Sequence, residues 1–220
     1  MKKTLLFFLL TLLTMSAMAE NQTLSYTANG KQHKVQIMDN DQIFVFVYGG
    51  AHSSEPCFVL DGKKQIFNFK NSLLQMKEVY AKCKADPNMG TGDNLGQAVP
   101  VKFSPFTILW VSSNGTQYQS QNSGKRMMTT YAVTTKGNEL VYEIKYSGMV
   151  SDQNDPSVRQ KCFLTFVSES EIQSLIDILP TIDVNEIPAN QPKNNVTTLS
   201  GHNKFAEEVE RRARAGEGVK

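Results

Sequence analysis

Tryptophan occurs once in this chain of 220 residues, and histidine and cysteine three times each. Each scarcity removes a class of function. Cys57, Cys83 and Cys162 are too few for a disulfide scaffold, so a hydrophobic core must carry the fold. With only His33, His52 and His202 available, and no G-x-S-x-G, S-x-x-K or K-T-G motif, serine chemistry has no visible machinery. Neither H-E-x-x-H nor C-x-x-C occurs, so no zinc site is expected. A sugar-processing cleft is normally paved with several aromatic platforms, and Trp110, inside "FTILWVS", reads instead as core. Charge of either sign is also missing in excess: without Lys2 and Lys3, 21 basic residues face 21 acidic ones. Such a chain has no electrostatic reason to seek nucleic acid or anionic lipid. Beyond the N-terminal segment the longest apolar run is "IFVFVY", Ile43 to Tyr48, so no later membrane span is expected.

What is present begins with an export signal. Lys2 and Lys3 precede the apolar "TLLFFLLTLLTM", and "AMA" (Ala17 to Ala19) supplies the small residues that a signal peptidase reads. Residues 1–19 are therefore expected to be a signal peptide removed before Glu20. The residue directly after the cleavage point is Glu20, not cysteine, which argues against a lipoprotein. The bacterial look of the peptide places the mature chain in the periplasm or outside the cell.

The remaining chain reads as hairpins interrupted by two helices. "TLSYTA" and "KQHKVQIM" flank Asn29-Gly30, a strong two-residue hairpin signal because both positions tolerate positive φ. "QIFVFVYGG" is nearly all apolar and predicts a strand covered on both faces. "CFVL" and "KQIFNF" flank Asp61-Gly62-Lys63 and read as a further hairpin. "SLLQMKEVYAKCK" then changes period, with Leu73, Met76, Tyr80 and Cys83 on one helical face and Ser72 and Gln75 at capping-box spacing. The second half reads as a meander from "VKFSPFTILWVS" to "QKCFLTFV", in which Leu140, Tyr142, Ile144 and Tyr146 share a face. "SESEIQSLIDILP" predicts a helix capped by Ser168 and Glu171 and ended by Pro180. The fold expected is thus α+β from residue 20 to 180: mainly antiparallel sheet, as hairpins and meander, with two amphipathic helices packed on one face. Residues 181–201 read as a flexible linker and 202–220 as a polar tail, with Phe205 and Val209 one turn apart on a short helix.

Several constellations bear on chemistry. In "YGGAHSSEPCFVLDG" His52 precedes Cys57 by five positions, which raises a small cysteine hydrolase using Cys57 with His52 or His33. Against it, Cys57 opens an apolar strand instead of a helix, where the dipole would lower its pKa. "NMGTGDNLG" misses the dinucleotide spacing at Leu95 and follows a helix. The turns "DNDQI" and "SDQNDPS" fail the calcium-loop pattern at Gly50 and Pro156. No cofactor and no metal are expected. The leading reading is an exported, non-catalytic protein that binds another protein, such as an inhibitor, an immunity-type protein or an accessory envelope factor. Tyr118, Lys125, Arg126, Phe205 and Val209 are its expected contact surface. The third reading is a ligand-carrying or structural envelope component, with the loop from Ala85 to Pro100 over a pocket. At most one disulfide is expected: Cys83 and Cys162 could meet each other or Cys57, and Cys57–Cys83 is the favoured pair, because a hairpin followed directly by a helix brings its ends close.

Overall fold

The structure, a computed structural model, describes residues 21–50, 55–88, 98–120, 127–136 and 139–187. Six strands form one antiparallel sheet in chain order: β1 (Gln22–Ala28), β2 (Lys31–Ile37), β3 (Gln42–Phe46), β4 (Cys57–Asp61), β5 (Thr107–Val111) and β6 (Gln117–Ser120). A second antiparallel sheet holds β7 (Met127–Lys136), β8 (Glu139–Ser151) and β9 (Arg159–Phe166). Helix α1 (Gly62–Ala85) is inserted between β4 and β5, and α2 (Glu169–Ile178) follows β9. The class is α+β with antiparallel sheets and two helices, as the patterning predicts.

Local chemistry explains most of these elements. Asn29 and Gly30 adopt φ of 50° and 69° and close the β1–β2 hairpin. In β3 the residues Ile43 to Phe46 are all buried, as a strand covered on both faces requires. Ser168 caps α2 by accepting from the Glu171 amide at 3.2 Å.

One element departs from the sequence pattern. "KQIFNF" is not a strand after a turn but the opening of α1, a helix of 24 residues. Ile66, Phe69, Leu73, Met76, Tyr80 and Cys83 alternate three and four apart, and this buried stripe fixes the helix from its first turns. Gly62, at φ 77°, bends the chain straight from β4 into it. Ser72 is therefore mid-helix, with its hydroxyl donating to the Asn68 and Lys102 carbonyls, both at 2.9 Å.

The main core lies where the inner faces of both sheets meet α1 and α2. Phe58 of the first sheet stands 6.2 Å from Tyr146 of the second, ring to ring, while Phe69 of α1 contacts Phe58 and Phe106. Among the described residues, hydrogen bonds tie the sheets together beyond β3 and on β6. Beyond β3, Tyr48 exchanges backbone hydrogen bonds with Phe163 of β9 at 3.2 and 2.8 Å. On β6, Gln119 bonds through its backbone to Asp152 and Gln153 at the end of β8, each at 2.9 Å.

The expected Cys57–Cys83 disulfide is not formed: Cys57, Cys83 and Cys162 are all free and buried. Alternation along β4 is the reason. Phe58 and Leu60 face the core that contains Cys83, whereas Cys57 and Val59 face the other way, in a second cluster with Phe44, Phe46, Leu109 and Val111. The sheet itself separates the two thiols.

Candidate functional site

Of the residues in the candidate catalytic pairing, the structure describes Cys57 and His33, and it places them on opposite faces of the first sheet. His33 shares the face of Val35 and Tyr26, as its register with Tyr26 dictates, and β3 separates its strand from Cys57. Cys57 is 0% exposed between Phe46 and Leu109 on the neighbouring strands. Burial pushes its thiol well above the ordinary value, opposed only in part by a backbone hydrogen bond from Leu109. That is the reverse of an activated nucleophile, which needs a thiolate at working pH. Residue 52 lies outside the described residues, as do Lys125, Arg126, Phe205, Val209, His202 and residues 1–20 and 188–220.

His33 instead lines a notch at the seam between the two sheets. With Tyr26, Lys31, Tyr48, Phe163 and Thr165 it encloses about 140 Å³. The backbone pair between Tyr48 and Phe163 fixes the notch, and their rings lie 5.9 Å apart in a tilted arrangement. Tyr26 is anchored beneath by donating its hydroxyl to the Phe46 carbonyl at 2.7 Å, and its ring lies 5.5 Å from that of His33. Burial holds His33 below its usual imidazole range, while the charge of Glu55 works to raise it. The rim is different in character. Tyr48 is 44% exposed, and the Lys31 ammonium sits 5.8 Å from its ring centre, a cation–π contact at the surface.

The β1–β2 turn beside the notch is held from α2. Glu171 is buried, and its carboxylate accepts from the amides of Asn29 at 3.1 Å, Gly30 at 2.8 Å and Val167 at 2.8 Å. The capping residue foreseen in the sequence therefore also clamps a hairpin more than 140 residues away in the chain.

Tyr118, expected on a contact surface, is half-buried and stacked on Trp110 at 5.8 Å, with Trp110 in the core as read. In "SDQNDPS" Asp152 accepts from the amides of Gln119, Asn154 and Asp155 at 2.8–2.9 Å. Burial works to raise its pKa, yet these backbone donors win and hold it below the ordinary carboxylate value. Among the described residues no group of three or more His, Cys, Asp or Glu side chains is placed to hold a metal, and no helix is long and apolar enough to cross a membrane. Sequence reasoning misses the notch residues Tyr48 and Phe163. The only local signal is a tyrosine ending an apolar strand directly before Gly49-Gly50. No family model, curated protein or solved structure matches this chain.

Proposed function

We propose that this is an exported protein, periplasmic or secreted, that binds another protein without catalysing a reaction. The notch around Tyr48 receives one side chain of that partner. The export half of the proposal rests on the basic, apolar and small-residue succession of residues 1–19. The binding half rests on one observation: an exposed tyrosine, backed by Phe163 and Lys31, stands over a preformed aromatic notch the size of a single side chain. Interfaces concentrate their energy on such aromatic anchors and on the pockets they border. Tyrosine adds contact area at low entropic expense and keeps a polar tip for water or a partner. The backbone pair that joins the sheets also orders the notch before binding, which lowers the entropy lost on association.

A photo-crosslinking amino acid in place of Tyr48, introduced in the native host, tests the proposal directly. The expected outcome is a discrete adduct with one protein, identified by mass spectrometry, whose yield falls when His33→Ala is added. Equal labelling of many proteins, or none, sinks the partner reading. The N-terminal sequence of the same purified material tests export, with Glu20 expected as the first residue.

A further inference from the structure

A larger cavity, about 510 Å³, opens between residues 98–103 and the start of β7. Its position follows from how that segment is tied down. Ala98 bridges to Thr130, and the Val99 amide donates to the Thr129 carbonyl at 3.0 Å, so the segment starts alongside β7. Its other end is held from α1, where the Ser72 hydroxyl donates to the Lys102 carbonyl at 2.9 Å. Phe103 then turns inward and stacks on Tyr146, with ring centres 4.1 Å apart and planes 20° from parallel. Phe103, Met127 and Met128 give the cavity an apolar wall, and exposed Lys102 also lines it.

Two polar groups on that wall have no partner. Thr129 and Tyr146 are directly opposite each other on β7 and β8, so they share the inner face of the second sheet. They are 2% and 1% exposed, and neither the Thr129 Oγ1 nor the Tyr146 hydroxyl makes a hydrogen bond. Buried hydroxyls are ordinarily satisfied, and an orphan calls for an explanation. Of the four buried side-chain atoms of this kind among the described residues, on Gln117, Thr129, Tyr131 and Tyr146, only those of Thr129 and Tyr146 belong to residues that line this cavity. Protein interiors leave few voids larger than a water molecule. A cavity of this volume falls within the range of about 300–1,000 Å³ that small-molecule sites occupy.

We propose that this cavity binds a small amphipathic carboxylic acid. Its apolar body lies against Phe103, Met127 and Met128. Its carboxylate accepts hydrogen bonds from the Thr129 and Tyr146 hydroxyls, with the Lys102 ammonium as counter-ion at the mouth. Binding requires the two hydroxyls, both buried without a partner in the free protein, to turn onto the head group. The inference stands independently of the protein-partner reading, which concerns a different set of residues.

Calorimetric titration of the protein isolated from its native compartment with dodecanoate, and separately with dodecanol, tests this. Saturable one-to-one binding of dodecanoate is expected, with dodecanol weaker. Lys102→Gln should weaken dodecanoate binding by up to about fivefold, the loss of an exposed ion pair, and Tyr146→Phe by about tenfold or more, the loss of a hydrogen bond to a charged group. Tyr146→Phe should melt no lower than the parent, because it removes an orphan hydroxyl and keeps the ring. A purely structural Tyr146 hydroxyl gives the opposite pattern, a lower melting temperature with binding unchanged. The proposal is overturned if dodecanoate does not saturate, if dodecanol binds as tightly, or if both variants bind like the parent. Lys102 is exposed, so Lys102→Gln decides the matter even if Tyr146→Phe does not fold.

Discussion

A thiol attacks as its thiolate, and ionising Cys57 means placing a negative charge in a cluster with Phe44, Phe46, Val59, Leu109 and Val111. Desolvation forbids that, and the same burial blocks an alkylating reagent. Iodoacetamide at pH 8 should leave Cys57 unmodified in the folded protein and label it on addition of denaturant, read by peptide mapping. Rapid labelling of the native protein would return the hydrolase reading to the field. Asp152 makes the opposite case, a charge that the fold welcomes. Its folded pKa lies below the unfolded value, so it contributes stability above about pH 4 that is lost as pH falls through the folded pKa. The urea midpoint of Asp152→Asn should therefore trail the parent at pH 6, and the gap should close as pH falls through the folded pKa. Equal midpoints at pH 6 would show that the three backbone donors gain nothing from the charge.

The hairpin β1–β2 and the helix α2 are both legible in the sequence, but the bond between them is not. Asn29-Gly30 announces a turn and Ser168 with Glu171 announces a helix start, each from residues a few positions apart. Nothing local says that the Glu171 carboxylate bypasses the Ser168 amide and serves Asn29, Gly30 and Val167 instead. Glu171→Ala leaves three amides without this acceptor, and a loss of about 2–4 kcal/mol is expected in urea unfolding, with faster hydrogen exchange at Asn29 and Gly30. A loss under about 0.5 kcal/mol would mean that water replaces the carboxylate without penalty. The start of α1 escapes a local reading for a related reason. Ile66, Phe67 and Phe69 in a short run fit a strand as well as a helix, and Asp61-Gly62 resembles a hairpin turn. Only the continued spacing to Cys83 separates the two, once the helix is allowed to begin at Gly62. The two cavities are out of reach for a different reason. One needs Tyr48 beside Phe163, the other residues 98–103 beside Thr129 and Tyr146, and pairings at such separations are set by the topology of the sheets.

Two sheets that share one core and are tied at both Tyr48–Phe163 and Gln119–Asp152 have little to gain by opening separately. Each inner face is apolar because the other covers it: Phe58 and Phe106 on one side meet Tyr146 on the other, and Phe69 of α1 packs against Phe58 and Phe106. Losing one sheet would expose the other's inner face to water at roughly 25 cal/mol for every Å² of apolar area. The chain supplies its own reporter, since its one tryptophan, Trp110, is buried in β5 of the first sheet. Backbone circular dichroism averages over both sheets and the helices. The two signals should therefore follow a single urea transition with one midpoint. Phe58→Ala, which removes the ring facing Tyr146 across the sheets, should shift both together, by about 3–5 kcal/mol. If the Trp110 transition moved while a residual dichroism transition stayed in place, the second sheet would be holding its structure alone. The seam at Tyr48 would then be a joint between two separately folded parts, and the notch it carries would depend on how those parts dock.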